Sequence, residues 1–186
     1  MVHKNLWRET KLETKIPYVV NAVIEIPKGS TYKYEIDEKS GFLYLDRKLK
    51  KIFRYPENYG FLPRTLWYDK DPLDILVISK SPLPPLCVIK VKILGVLKVI
   101  DSGKKDDKII AVPFKKNYEK YNSLSNLKQK IKEVKHFFEN YKKFEGKKCK
   151  VLKVLGKKTA LEYIEIGKRL YEKNLKQKFK YPASLK

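Results

Sequence analysis

Cysteine is scarce in this chain, with two among 186 residues. Cys87 and Cys149 sit in unrelated settings without metal-ligand spacing, which excludes a thiolate metal cluster and a disulfide-built scaffold. Both are expected to be reduced and buried, as in a cytoplasmic protein. Long apolar runs are absent as well: no segment approaches the roughly 18 residues of a membrane span. The opening stretch MVHKNLWRETKLETK has no continuous apolar core and does not read as a secretory signal. Internal repeats and linkers are missing too. Acids are the minority, 21 against 43 lysines and arginines, for a net charge of +22. That balance points to an anionic partner: nucleic acid, a membrane surface or a phosphate-rich ligand. Lysines spread over the whole chain argue against a dedicated basic arm. A hydrophobic share of 42% supports a folded core, and the length suits one domain.

What is present begins with short strands. VVNAVIEI, residues 19–26, ends at Pro27. YKYEI alternates, with Lys33 and Glu35 on one face and Tyr32, Tyr34 and Ile36 on the other. GFLYLDR follows a turn glycine, and DILVIS is a continuous apolar run, as in a strand buried on both faces. SPLPPL reads as a rigid connection between strands. CVIKVKILGVLKVID places Cys87, Ile89, Val91, Ile93, Leu97 and Val99 on one face, with Gly95 interrupting the pattern as at a bulge. KIIAVP and CKVLKVL give later strands. Two helices are predicted. One carries Leu127, Ile131, Val134, Phe138 and Tyr141 at helical spacing. The other carries Leu161, Ile164, Lys168, Tyr171 and Leu175, with Thr159 as N-cap. Many short strands before two helices predict an α+β fold, a small closed barrel with the helices packed outside.

The acids stand in unexpected places. WYDKDPLDILVI puts Asp69, Asp71 and Asp74 within six residues. Asp69-x-Asp71 starts like an EF-hand loop, but that loop needs Gly at its sixth position and Glu at its twelfth. Here those positions hold Asp74 and Lys80. A turn explains Asp69 and Asp71 but not Asp74, which leads into an apolar run. Carboxylates this close repel unless cations neutralise them, and hard divalent ions take oxygen ligands of this sort. Glu25, Glu35, Asp101 and Asp106 punctuate other strands. Arg47, Tyr55, Tyr59, Lys108, Tyr141 and Lys142 accompany them. Carboxylates, cations and phenols together suit a phosphate-rich anion bridged by metals.

The chain resembles the family I soluble inorganic pyrophosphatases in their short, prokaryotic-type form. The resemblance runs from about Val19 to Lys142, and more weakly through the last helix. VIEIPKGSTYKYEID, LDR, YPENYGFLPRT, DKDPLDILVI, GVLKVID, DDKIIAVP and HFFENYK carry it, in that order. It implies one pyrophosphatase domain over residues 1–186 and an OB-like barrel of five strands. It implies Mg²⁺-dependent hydrolysis of inorganic diphosphate, with several Mg²⁺ per site. Asp69, Asp74 and Asp106 match ligands of the two metals that activate water, with Asp74 bridging, and Asp71 matches the general base. Asp101, with Asp106, matches the site of a metal arriving with substrate, and Glu25 and Glu35 match outer acidic positions. Lys33, Arg47, Tyr59, Tyr141 and Lys142 match phosphate-holding groups. Tyr55 and Lys108 match supporting positions. The resemblance also implies a cytoplasmic homo-oligomer, a hexamer in prokaryotes.

Two metals lower the pKa of a water between them, which needs carboxylates for the metals and one more facing the water. Asp69 and Asp71 fall on one side if their stretch is extended, and Pro72 then turns the chain so that Asp74 returns to the site. Two departures stand out. Lys70 replaces a small residue, often Gly, between the first two aspartates. In DSGKKDDK, Ser102, Lys104 and Lys105 stand where acids are common. A basic, tyrosine-rich barrel would also suit single-stranded nucleic acid, but a polyanion groove has no use for seven acids at matched spacing. Neither nucleic acid nor a membrane is therefore expected as the primary partner.

Overall fold

The computed structural model describes residues 5–14, 18–37, 39–50 and 52–180, with the backbone alone for 177–180. A short helix α1 (Leu6–Glu9) leads into strands β1 (Val19–Ile26), β2 (Tyr32–Ile36), β3 (Leu43–Lys48), β4 (Asn58–Phe61), β5 (Asp74–Val77), β6 (Val88–Asp101), β7 (Lys104–Lys105) and β8 (Lys108–Pro113). Helix α2 (Lys128–Asn140), strand β9 (Cys149–Gly156) and helix α3 (Lys157–Lys180) complete the order. Five strands close a ring: β1 pairs with β4, β4 with β5, β5 with β8, β8 with β6, and β6 again with β1. The β5–β8 pair is parallel and the other four are antiparallel. The ring, with two main helices against it, is the α+β architecture expected. Strands β2 and β3 form a separate two-stranded sheet.

Period-two patterning explains the continuous apolar run of β5. Ile75 and Val77 join one core with Ala160 and Ile164 of α3. Leu76, between them, joins a second core with Val134, Phe137 and Phe138 of α2. Both faces are covered, so no polar residue interrupts the strand. Strand β6 is long enough to pair with β1, β8 and β9, and its register against β8 shifts between Ile93 and Gly95. This is the bulge expected at Gly95. A side chain there would put Cβ 2.4 Å from the Leu155 carbonyl oxygen and 2.6 Å from Leu124 Cδ1.

Several expectations change. β4 had no strand signal, since four residues containing Asn58 and Gly60 look like a turn. Gly60 is needed because a Cβ would fall 1.9 Å from the Val23 carbonyl oxygen in the neighbouring strand. Helix α3 starts at Lys157, directly after β9, so Thr159 lies inside its first turn and does not precede it. Its buried stripe is Ala160, Ile164, Gly167 and Tyr171, whereas Leu161 and Lys168 are half-buried. Gly167 brings the helix against the chain at Leu66, whose N–H donates to the Gly167 carbonyl at 3.0 Å. Strand β2 does not alternate cleanly, because its register against β3 slips between Lys33 and Tyr34. The cysteines are free but half-buried, not fully buried. Burial still pushes the Cys149 thiol up to about 12, which keeps it protonated.

Candidate active site

One pocket of about 360 Å³ opens at the edge of the ring. All seven sequence-predicted acids line it: Glu25, Glu35, Asp69, Asp71, Asp74, Asp101 and Asp106. Lys33, Tyr55, Tyr59, Tyr141 and Lys142 line it too. Lys108 and Arg47 lie just outside that wall, in different ways.

Asp69 and Asp71 come from a turn. The Trp67 N–H donates to the Asp71 carbonyl at 2.7 Å, and the Lys70 N–H donates back to the Trp67 carbonyl at 3.1 Å. The Asp71 N–H donates to Asp69 Oδ1 at 3.1 Å. Lys70 sits at φ +81°, in the left-handed region. The expected extended stretch is therefore wrong. A left-handed middle residue brings both carboxylates to the pocket, and it explains why glycine suits that position. Burial pushes the Asp69 carboxyl up to about 6. Burial also raises Asp71, with repulsion from Glu35 and Asp106, while Lys33 and Lys104 oppose the rise.

Asp74 opens β5, and the parallel register sets it beside Lys108 on β8. Lys108 Nζ donates to Asp74 Oδ2 at 2.7 Å and to Asp106 Oδ1 at 2.5 Å. The lysine is 1% exposed and lies over the rings of Tyr59 and Phe138. Burial alone would lower its pKa, but Asp106 and Asp74 hold it well above the usual lysine value. Asp106 rises to about 6, through burial first, with Lys108 opposing and Asp74 repelling. The Tyr59 hydroxyl also donates to Asp74 Oδ2.

Lys142 follows the end of α2 and donates to Asp101 Oδ2. Burial tends to raise the Asp101 carboxyl, but Lys142 outweighs it and the net shift is downward. Glu25 is deeply buried, and one oxygen accepts the Ile36 N–H at 2.8 Å. Burial lifts its carboxyl to about 8 despite that bond, and Asp74 and Glu35 add repulsion. On the β2–β3 sheet Lys33 donates to Glu35 and, at 3.0 Å, to Asp46. Arg47 is the cross-strand partner of Lys33 and is held by Asp46 at 2.6 Å and Glu145 at 3.1 Å. Its Nη2 is buried with no hydrogen-bond partner among the described residues, a donor left for an acceptor that these residues do not provide.

Sequence reasoning gave no role to Asp46, Glu145 or Asp107. Asp46 and Glu145 orient Arg47. Asp107 is buried, and its Oδ1 accepts the Val99 N–H at 2.9 Å, which fixes the approach to β8. The charge alternation in YLDRK was the one available signal for Asp46. Tyr55, Tyr59 and Tyr141 are buried, so these rings offer no platform for stacking bases.

The donor set fits hard divalent cations. It is all oxygen on the acidic side, and burial raises Glu25, Asp69, Asp71 and Asp106 together, as expected where positive charge is short. Among the described residues no three of the acids already stand as a closed metal cage. Lysines pair with several of them instead.

A ring of mixed strands that carries buried carboxylates, ordered phenols and cations at one mouth defines a hydrolase-type site for phosphate-rich anions. The inorganic pyrophosphatase family model matches residues 22–172, and the chain belongs to that family. It is 42% identical over 169 residues to soluble inorganic pyrophosphatase 3 of Arabidopsis thaliana, covering 89% of this chain and 77% of that one. It is 39% identical over 170 residues to soluble inorganic pyrophosphatase 2 of Chlamydomonas reinhardtii, covering 90% and 88%. Among solved structures, the inorganic pyrophosphatase of Thermus thermophilus superposes with a TM-score of 0.86 at 37% identity, over 91% of this chain and 99% of that one. The Neisseria gonorrhoeae inorganic pyrophosphatase gives 0.86 at 33% identity, over 90% and 99%. The family's reaction is hydrolysis of diphosphate to two orthophosphates.

Proposed function

We propose that this chain performs its family's hydrolysis with Mg²⁺ and with Asp71 as general base. One observation carries the assignment. Asp71 lines the pocket, yet among the described residues its carboxylate accepts no hydrogen bond at all, whereas Asp69 and Glu25 each accept a backbone N–H. Asp74, Asp101, Asp106 and Glu35 each hold a lysine. A base needs a free lone pair and a pKa nearer neutrality than an ordinary aspartate. Asp71 has the first, and burial moves it toward the second.

Asp69, Asp74, Asp101, Asp106, Glu25 and Glu35 are the residues that would hold Mg²⁺. Bound there, the ions supply positive charge that offsets the substrate's own and makes water a better nucleophile near neutral pH. The chain's residues do the rest. Asp71 takes the proton of the attacking water. Lys33, Arg47, Tyr59, Tyr141 and Lys142 grip phosphate oxygens, and the charge of the lysines and the arginine favours the leaving phosphate as its own charge grows. The free Nη2 of Arg47 supports this role. Tyr55 packs against Tyr59 at a centroid distance of 5.6 Å, and Lys108 holds Asp74 and Asp106 in place. Phosphate release from diphosphate, with and without Mg²⁺, tests the reading. Release that needs no divalent ion, or none with Mg²⁺, overturns it.

The chain is also read as one domain over residues 1–186, acting in the cytoplasm as a homo-oligomer, with a hexamer suggested by family resemblance. Likeness to the soluble relatives supports this. No helix among the described residues is long and apolar enough to cross a membrane. Sedimentation equilibrium tests the assembly: a monomer at micromolar concentration removes it.

A further inference from the structure

The loop between Asp101 and Lys108 is a built hairpin. Asp101 pairs with Lys104 across a two-residue turn, Ser102–Gly103, whose φ angles are +49° and +84°. Two positive φ values in a two-residue loop match the twist of the flanking strands and fix their register. Neighbouring strand residues point to opposite faces, and the two lysines divide accordingly. Lys105 Nζ lies 4.7 Å from the centre of the Tyr68 ring, and Tyr68 packs edge-on against buried Trp67 at 4.9 Å. This ties the hairpin to the turn that carries Asp69 and Asp71. Lys104 is on the other face and lines the pocket.

The pocket's cations differ in one respect. Lys33 is paired with Glu35 and Asp46, and Lys142 with Asp101. The Lys104 ammonium makes no hydrogen bond or ion pair among the described residues, although its charge is close enough to oppose the rise of the Asp71 carboxyl. An ammonium at the mouth of an anion site, with no carboxylate of its own, is available to a ligand in full.

We infer that Lys104 is a further substrate-holding residue, whose ammonium grips a phosphate oxygen of the diphosphate so that the anion binds with less help from divalent cation. This rests on the diphosphate reading of the pocket. A charged hydrogen bond of this type is worth about tenfold or more in affinity. Lys104 is exposed, so the lower end applies.

The test is calorimetric titration of the full chain with methylenediphosphonate, a diphosphate that cannot be hydrolysed, in EDTA and again in Mg²⁺. Lys104→Ala should weaken binding about tenfold in EDTA and by a smaller factor in Mg²⁺, with the EDTA loss shrinking as salt rises. Lys104→Arg should bind within about threefold of the parent. Lys105→Ala should stay within about twofold, since that side chain faces Tyr68. Equal affinity of parent and Lys104→Ala in EDTA overturns the inference. So does an equal loss in Lys105→Ala, which would mark a general surface field, or no binding by the parent. Phosphate release from diphosphate with Mg²⁺, measured on the same preparation, separates the two ideas. If release is absent while analogue binding still depends on Lys104, the hydrolysis reading fails and the Lys104 site stands.

Discussion

The two walls of the pocket handle their acids in opposite ways. On one wall, at the β5–β8 edge and the end of β6, Lys108 neutralises Asp74 and Asp106, and Lys142 neutralises Asp101. On the other, among the described residues, Asp69 of the turn at residues 67–71 accepts only a backbone N–H and the Asp71 carboxylate is hydrogen-bonded to no cation. The first wall sets two lysines against three carboxylates, and Asp106 there still rises to about 6. The second carries its charge unbalanced, and burial lifts both its carboxyls. The contrast separates residues that hold the site's shape from those that need something from solution to complete them.

The comparison is broken most sharply at Asp71. Asp71→Asn should keep the fold and most metal binding but lose about 10²–10⁴ in turnover, the usual effect of removing a general base. Phosphate-release rates at saturating Mg²⁺, beside a thermal melt, check this. Near-normal turnover would leave the unpaired wall without a catalytic part.

On the lysine-paired wall the large effect should be on stability. Lys108→Met leaves Asp74 and Asp106 facing each other without their buried cation. Breaking a buried pair in this way costs about 3–5 kcal/mol. Urea unfolding in EDTA reads it, and a loss under about 1 kcal/mol would show that the two carboxylates are balanced from elsewhere.

Lys142→Ala sharpens the same contrast at the site's edge. The residue is expected to hold phosphate as well as Asp101. KM for diphosphate should rise about tenfold, the worth of one charged hydrogen bond, with little change in the melting temperature. Loss of stability at unchanged KM would make Lys142 a strut like Lys108.

The smallest effect is predicted at Lys70. Its φ of +81° is costly for a side chain and free for glycine. Lys70→Gly should relieve that strain, offset in part by the greater freedom of glycine in the unfolded chain. A net gain of about 0.5–1 kcal/mol is expected by differential scanning calorimetry. A loss would mean that the lysine side chain contributes to the turn.

Much of the fold was legible in local pattern. β1, β5, β6 and β8 stand where the apolar runs place them, and the bulge falls at Gly95. What escaped had no local signal. β4 is a strand because Val23 and Ile75 flank it on either side. α3 begins early because β9 runs straight into it. The site was legible as a set of residue types at family spacing, and twelve of the fourteen named side chains line one pocket. A turn was legible at Asp69 and Asp71, but not that its left-handed residue, Lys70, brings both carboxylates to the site, where alternation along the chain had suggested an extended segment.

By itself, the sequence determined the chemistry on offer: seven acids, their companion cations and phenols, and strands apolar enough to close around them. Those depend on residue type and spacing, which the chain carries locally. Only the tertiary structure decided which carboxylate is held by a lysine and which is left free. Asp74 meets Lys108 because β5 and β8 run parallel in one register, and Asp101 meets Lys142 because α2 packs on β9, which pairs with the end of β6. Pairings between residues tens of positions apart are set by the register of strands and the packing of helices, and no short stretch of sequence encodes either.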